Sequence, residues 1–210
     1  MQEEDGVLLD WKSNTSTPSS ASITEFVPEA VRRYLILMDL QYTMCNFNRV
    51  EDLQLRPYAA EVIQQVLAKR TEGMCQLGFY TSLPEAVARD AVLQLLKGAT
   101  GIQKWTYKWP RLIHGTSEVW LFDDRFCERI GMTNLELVLS ETETLMGNAF
   151  SRWSTVYITT KNSLKNEASD RNMLMVKPWV DDLRDCVLKS VGKTLQEIFW
   201  KRPVDVREVL

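Results

Sequence analysis

The residues best suited to chemistry follow a short apolar run near the start of the chain. Leu35-Ile36-Leu37-Met38 is continuously apolar and is followed by Asp39, Gln41 and Thr43. Such a run is typical of a strand buried on both faces of a parallel sheet. Ligands of open α/β sheets bind beyond the carboxyl ends of the strands. We therefore predict that Asp39 is presented there as a nucleophile, the alternative being an aspartate that caps a turn.

A second polar turn follows another apolar segment. Residues 74–80 are predicted to form a strand that ends in Thr81 and Ser82, just before a helix. Because the first amides of a helix favour anions, Thr81 is a candidate anion ligand. Ser82 has an alternative role as a helix cap, since Ser82 and Glu85 have the spacing of a capping box.

Two more positions are candidates for the same site. Thr43 is expected to fix the turn after Asp39. Arg56 stands beside Pro57 at the predicted start of a helix and could reach the pocket, although an arginine in that position is commonly on the surface. A further predicted strand, residues 156–158, leads into the polar turn 159–163.

Strand-like and helix-like segments alternate from Arg33 onward, which predicts an α/β fold with a Rossmann-like parallel sheet flanked by helices. Apolar residues at helical spacing predict helices near residues 58–67, 87–96 and 135–145, and a last long helix that starts near Asp181. The second helix is expected to turn Val87, Ala91, Val92, Leu95 and Leu96 inward, and the last helix to present Leu183 to the core. Residues 100–126 are predicted to form a small, hairpin-rich insert. We expect a flexible or docking tail over residues 1–30, a domain over 31–200 and a C-terminal tail over 201–210.

Composition excludes several classes of protein. The 210 residues carry a formal charge of −3 with a pI near 5.4, which argues against an extended nucleic-acid surface. We find no apolar stretch of the roughly 18 residues that would suggest a membrane span, and no membrane is expected. The four cysteines are scattered without a CxxC pair, which favours an intracellular, reducing compartment. Nucleus or cytoplasm is favoured, with the mitochondrial matrix as an alternative.

The ordered motifs resemble those of the haloacid dehalogenase superfamily, in particular the phosphatases of the RNA polymerase II C-terminal domain, the NLI-interacting-factor-like family. The resemblance covers about residues 33–195. The similar segments, in chain order, are 35–44, Leu55-Arg56-Pro57-Tyr58, Phe79-Tyr80-Thr81-Ser82, Asp124-Arg125-Phe126-Cys127, residues 157–163, and Lys177 to Asp185. The resemblance implies a HAD-type sheet. It also implies that Asp39 is the nucleophile and first metal ligand, and that Thr81 holds a phosphoryl oxygen.

Three departures from the family pattern put its activity in doubt. Gln41 stands where the family has its general acid, and an amide cannot transfer that proton. Lys161 takes the place of a magnesium-binding aspartate, while Asn162 keeps the companion position. The family's middle lysine has no counterpart, because the chain has no lysine between Lys108 and Lys161. The resemblance therefore implies a pseudophosphatase that serves as a protein-binding or scaffolding subunit, with no cofactor expected.

The alternative is an active phosphatase for phosphoserine or phosphothreonine proteins. Magnesium would then be the cofactor, held by Asp39 and Asn162. In either case the phosphate-binding positions would be Thr43, Arg56, Ser82 and Lys161. Protein partners are expected for the scaffold, and the seven tryptophans make contacts in a larger assembly plausible.

Overall fold

The computed structural model describes residues 33–46, 53–108, 111–115, 117–123, 138–140, 142–144, 150–160 and 172–210. Asp123 is described by its backbone alone. The predictions for the tail 1–30, Lys161, Asn162 and Asp124 lie outside these residues.

Within these residues, seven strands form one sheet with helices packed against it. The strands are β1 (Tyr34–Asp39), β4 (Cys75–Thr81), β5 (Thr106–Lys108), β6 (Arg111–His114), β7 (Ser117–Asp123), β8 (Thr155–Thr159) and β9 (Met173–Met175). Their spatial order is β5-β6-β7-β4-β1-β8-β9. A small separate sheet pairs β2 (Cys45–Asn46) with β3 (Gln54–Leu55). The predicted α/β, Rossmann-like architecture is confirmed.

Five neighbouring strands of the sheet run parallel to one another, in the spatial order β7, β4, β1, β8 and β9. In contrast, β5, β6 and β7 form an antiparallel meander. Numbered along the chain, the parallel strands have the order 3-2-1-4-5, which is that of doubly wound sheets. In the described part of residues 100–126, β5 pairs antiparallel with β6 and β6 with β7, as hairpins would require. Their last strand, β7, pairs with β4 and thereby belongs to the main sheet.

β1 is the central strand because its side chains are apolar on both faces. Tyr34, Ile36 and Met38 pack into a core with the helices, while Leu35 and Leu37 pack into a second core on the opposite face. Burial on both sides stabilises a continuous apolar run and leaves Asp39 as the first ionisable side chain at its carboxyl end. β1 is thus a rigid support for that carboxylate.

Three helices with defined bounds flank the sheet: α1 (Ala59–Thr71), α2 (Glu85–Thr100) and α3 (Val187–Lys201). The predicted inward residues of α2 are confirmed at four positions: Ala91, Val92, Leu95 and Leu96. Residues 138–140 and 142–144 are also helical. In the described part of the chain, no helix is long and apolar enough to span a membrane.

Two predictions about helix starts are wrong. The last helix begins at Val187 and not near Asp181, and Leu183, which was expected in the core, is 82% exposed. The segment before Val187 instead follows the candidate site. Ser82 is also not at the N-cap position that a capping box with Glu85 requires, because the N-cap residue of α2 is Pro84, which makes no side-chain cap hydrogen bond.

The residues after α3 lie against the domain. The Tyr34 hydroxyl donates a hydrogen bond of 3.0 Å to the Pro203 carbonyl, and Val206 is buried in the same core as the helices. A short 3-10 turn, Val206–Glu208, completes this contact. The segment assigned to a C-terminal tail therefore contributes to the core.

Candidate functional site

The candidate site lies at the carboxyl ends of the three central strands. Asp39 ends β1, Thr81 ends β4 and Thr159 ends β8. β4 and β8 flank β1 on opposite sides, so the strand order reverses at β1. Doubly wound sheets bind their ligands in the crevice outside this reversal point. The sequence-predicted residues Asp39 and Thr81 are thus placed at the expected edge of the sheet.

Asp39 is 2% exposed and is held by a neighbour on the next strand. The Thr159 hydroxyl, itself buried, donates a hydrogen bond of 3.2 Å to Oδ2 of Asp39. A buried carboxylate requires such donors, because losing its water without compensation is costly. The sequence motif contained Thr159 but did not indicate this contact. The only available signal was that Thr159 ends a strand.

The turn after Asp39 is built around one carbonyl. The Leu40 carbonyl accepts hydrogen bonds from the amides of Thr43, Met44 and Cys45. Within it Tyr42 has φ +62°, a left-handed conformation that is unfavourable for a side chain larger than glycine's. Gln41 is half-buried and forms an isolated bridge to Cys45.

Thr43 is fully buried in this turn. Its amide helps to close the turn, which agrees with the predicted role of Thr43 in fixing it. Its hydroxyl has no hydrogen-bond partner within the described residues. A buried hydroxyl without a hydrogen-bond partner is unusual in a folded protein. Thr43 therefore remains a candidate for binding a ligand at the carboxyl edge of the sheet.

Cys45, which ends the turn, is chemically inert. Burial, together with the nearby charge of Asp39, raises the pKa of the Cys45 thiol to about 12. The thiol also points to the Leu40 carbonyl at 3.5 Å. Because the thiolate is the nucleophile, Cys45 remains neutral at physiological pH and does not act as one.

Thr81 and Ser82 connect β4 to α2. Tyr80 is the register partner of Asp39, so Thr81 lies one residue further along the neighbouring strand. Thr81 is buried, and its hydroxyl oxygen accepts a hydrogen bond of 3.2 Å from the Leu83 amide. This turn leads into the 16-residue α2, whose amino end faces the same edge of the sheet. Ser82 is half-buried beside it.

Arg56 has a different role from the predicted one. It is 1% exposed, and its Nε and Nη2 form a two-point ion pair with Asp185 at 3.2 and 2.8 Å. The remaining hydrogens are donated to three carbonyls, those of Tyr42, Thr43 and Lys177. An arginine has five N–H donors, and all are used here. Arg56 therefore organises the protein around the site and does not offer a group to a substrate.

Asp185 is the partner that sequence reasoning missed. Its partial burial alone would raise its pKa, but hydrogen bonds from Arg56 and the Val187 amide, with the charges of Arg56 and Lys177, hold the pKa below its usual value. The ionised form is therefore the stable one beside Arg56. No local pattern could reveal a pair separated by 129 positions in the chain.

The described donors at this edge do not by themselves make a metal site. Asp39 contributes one carboxylate, and no three His, Cys, Asp or Glu side chains of the described residues are arranged to hold a metal ion. Magnesium prefers several oxygen ligands, usually including carboxylates. Lys161 and Asn162, on which the predicted metal set depends, lie outside the described part of the chain.

The fold and the position of Asp39 define an α/β domain of the Rossmann-like class with a buried carboxylate at the reversal point of its sheet. No protein-family model matches the chain, and no curated protein matches it.

Proposed function

We propose that this chain is a degenerate member of the haloacid dehalogenase superfamily, similar to the phosphatases of the RNA polymerase II C-terminal domain, which binds protein partners and does not hydrolyse phosphate esters. The proposal rests on two residues near the end of β1: the carboxylate expected of the nucleophile is present, and the carboxyl group expected of the general acid is replaced by an amide. Asp39 is buried and oriented by Thr159, whereas Gln41 occupies the position of the required acid. The contact that orients a nucleophilic carboxylate is thus present, but the acid that would protonate the leaving group is not.

The chemical cost of Gln41 is large. A general acid–base group typically contributes about 10²–10⁴ in rate, and a glutamine amide neither releases nor accepts a proton near neutral pH. If Lys161 replaces a metal-binding aspartate, catalysis would also lack the Lewis-acid stabilisation of the transition state by a metal ion, which is worth several kcal/mol. An ammonium group in that position would repel a divalent cation and pair with Asp39.

Metal binding tests this proposal. We expect isothermal titration of the pure protein with Mg²⁺ to give no site-specific heat. The matched control is Asp39→Asn, which removes the carboxylate but preserves the size of the side chain. Saturable Mg²⁺ binding by the wild-type protein that is lost in Asp39→Asn would contradict the proposal.

The second candidate function is an active, Mg²⁺-dependent phosphoserine or phosphothreonine phosphatase that forms an aspartyl-phosphate on Asp39. Its support is the register of β4 and β7, in which Thr81 pairs with Asp123 at the same edge of the sheet. Asp123 or the following Asp124 would then activate the water that releases the phosphate. The titration above separates the two functions, because only the enzyme needs the metal.

The binding role has its own test. Affinity purification of the tagged chain from cells, followed by identification of bound proteins, should recover a stable partner in stoichiometric amount. The compartment in which that partner resides would also test the proposed intracellular, reducing location. Failure to recover any partner, together with measurable turnover, would favour the enzyme.

A further inference from the structure

The segment after β9 lies directly on the turn that follows Asp39. We call residues 177–185 the strap. The Trp179 amide donates a hydrogen bond of 2.9 Å to the Tyr42 carbonyl, and the Asn46 side-chain amide donates one of 3.0 Å to Oδ1 of Asp181. The Trp179 indole is buried and donates to the Asp182 carbonyl at 2.9 Å, which closes the strap on itself. The strap is therefore bonded both to the turn, at Tyr42, and to Asn46, the residue that follows the turn.

The Arg56 side chain also contacts both the turn and the strap. On the turn side it donates to the carbonyls of Tyr42 and Thr43, at 3.4 and 3.2 Å. On the strap side it donates to the Lys177 carbonyl at 3.0 Å and to both oxygens of Asp185. Its guanidinium is completely buried, and the carboxylate of Asp185 is only 11% exposed. One planar side chain thus fixes the distance between the turn and both ends of the strap.

Each segment holds one residue in a left-handed conformation. Tyr42 in the turn has φ +62°, and Asp181 in the strap has φ +55°. Such conformations persist in residues other than glycine only where the surroundings impose them. Each of the two residues accepts a hydrogen bond from outside its own segment, Tyr42 from Trp179 of the strap and Asp181 from Asn46, the residue after the turn. Neither conformation is therefore stabilised by its own segment alone.

We infer that the strap and the turn form one reciprocal unit, in which the Arg56–Asp185 pair positions the turn that follows Asp39. Arg56 and Asp185 are positioning residues, because they touch the backbone around the site and leave no donor for a ligand. The strap is consequently a component of the candidate site. This inference holds whether the site binds a partner or performs catalysis, and it does not rest on the proposed function.

Amide hydrogen exchange measured by NMR tests the inference. The reporters are the Trp179 amide, bonded to the Tyr42 carbonyl, and the Tyr42 amide, bonded to the Cys45 carbonyl at 2.8 Å. In Asp185→Asn both should exchange roughly tenfold faster or more, because a charge-assisted contact is lost. The amides of β4, such as that of Leu77, should keep their wild-type rates.

Asp205→Asn is a matched control. Asp205 also forms a two-point ion pair with an arginine, Arg207, and also accepts from a backbone amide two residues further on. Asp185 makes the same two kinds of contact. The control therefore removes equivalent bonds away from the turn and should leave the Trp179 and Tyr42 amides unchanged.

Two outcomes would overturn the inference. The first is an unchanged exchange rate at the Tyr42 amide in Asp185→Asn, whether or not the Trp179 amide is accelerated. The second is equal acceleration in β4, which would mean that the pair supports the whole fold. If Asp185→Asn does not fold, Asn46→Ala decides, since it removes only the bond to Asp181 on the strap. It should accelerate both reporter amides, and wild-type rates at both would overturn the inference.

Discussion

Thr159 donates a hydrogen bond of 3.2 Å to Asp39 across the point where the strand order of the sheet reverses. Both side chains are buried, and they come from adjacent parallel strands separated by 120 positions in the chain. The contact therefore links the end of β1 to the end of β8 and sets the orientation of the candidate carboxylate.

Removal of this hydroxyl should destabilise the protein. We expect Thr159→Val, which preserves the shape of the side chain, to lower the free energy of unfolding by about 1.5–3 kcal/mol, the range for hydrogen bonds to charged groups. Urea unfolding measures this change, provided that the dependence of the free energy of unfolding on urea concentration is the same in both proteins. Thr155→Val is the control, because the buried Thr155 hydroxyl, on the same strand, donates to the neutral Ser151 carbonyl. Its expected cost is about 0.5–1.5 kcal/mol. A Thr159→Val cost no larger than that of Thr155→Val would contradict the account.

The Arg56–Asp185 pair should make stability depend on pH. The folded-state pKa of Asp185 lies below its ordinary value of 3.8, so its contribution is complete above that value and is lost as the pH falls through the folded-state pKa. The free energy of unfolding of wild type should therefore exceed that of Asp185→Asn at pH 7, and the difference should shrink below pH 3.8. Urea unfolding at several pH values measures both.

Arg56→Met is the complementary variant. It leaves the partly buried Asp185 carboxylate without its arginine and should lower the free energy of unfolding, by less than the about 3–5 kcal/mol that breaking a fully buried pair costs. In the Arg56→Met background, Asp185→Asn should no longer reduce stability at pH 7. An additive effect of the two substitutions would contradict the pairing.

Cysteine reactivity tests the environment of the turn. Burial raises the pKa of both Cys45 and Cys75 to about 12, whereas Cys186 is exposed. In a Cys127→Ser background, an aromatic disulfide reagent at pH 8 should modify Cys186 alone in the folded protein and all three thiols in urea. Rapid modification of Cys45 in the folded protein would show that the turn is open.

Gly78 tests the packing of the central strands. A Cβ at this position of β4 would lie 2.8 Å from Cδ2 of Leu37 and 2.9 Å from Cε2 of Phe122. Gly78→Ala should therefore lower the free energy of unfolding by about 1–3 kcal/mol, the usual cost of overpacking a core. Thermal and urea unfolding measure it. Wild-type stability would mean that these strands are not packed as described.

Local patterns predicted the parts of the fold that depend on burial alone. The unbroken apolar run of β1 predicted a strand covered on both faces, with Asp39 at its end, and the apolar spacing of α2 predicted its inner face. The start of α3 was missed because residues 181–185 have helix-like composition, whereas their contacts with Tyr42, Asn46 and Arg56 hold them in the strap. Contacts between distant segments leave no trace in local spacing.

The same reason separates the two kinds of site residue. The location of Asp39 and Thr81 at the ends of two strands could be predicted because strand ends are visible in the sequence. The sequence also predicted that Arg56 lies near this edge of the sheet. It could not reveal that the guanidinium is paired with Asp185 and is therefore not free to bind a ligand. Thr159 was included in a motif, yet its bond to Asp39 depends on the register of β1 and β8.

We propose that Asp39 has kept the position of a phosphatase nucleophile but not its activity. The direct measurement is hydrolysis of an aryl phosphate and a phosphoserine peptide by the pure protein with Mg²⁺, compared with Asp39→Asn. We predict that the two proteins release phosphate at the same background rate. Mg²⁺-dependent turnover by the wild-type protein that Asp39→Asn abolishes would contradict the account.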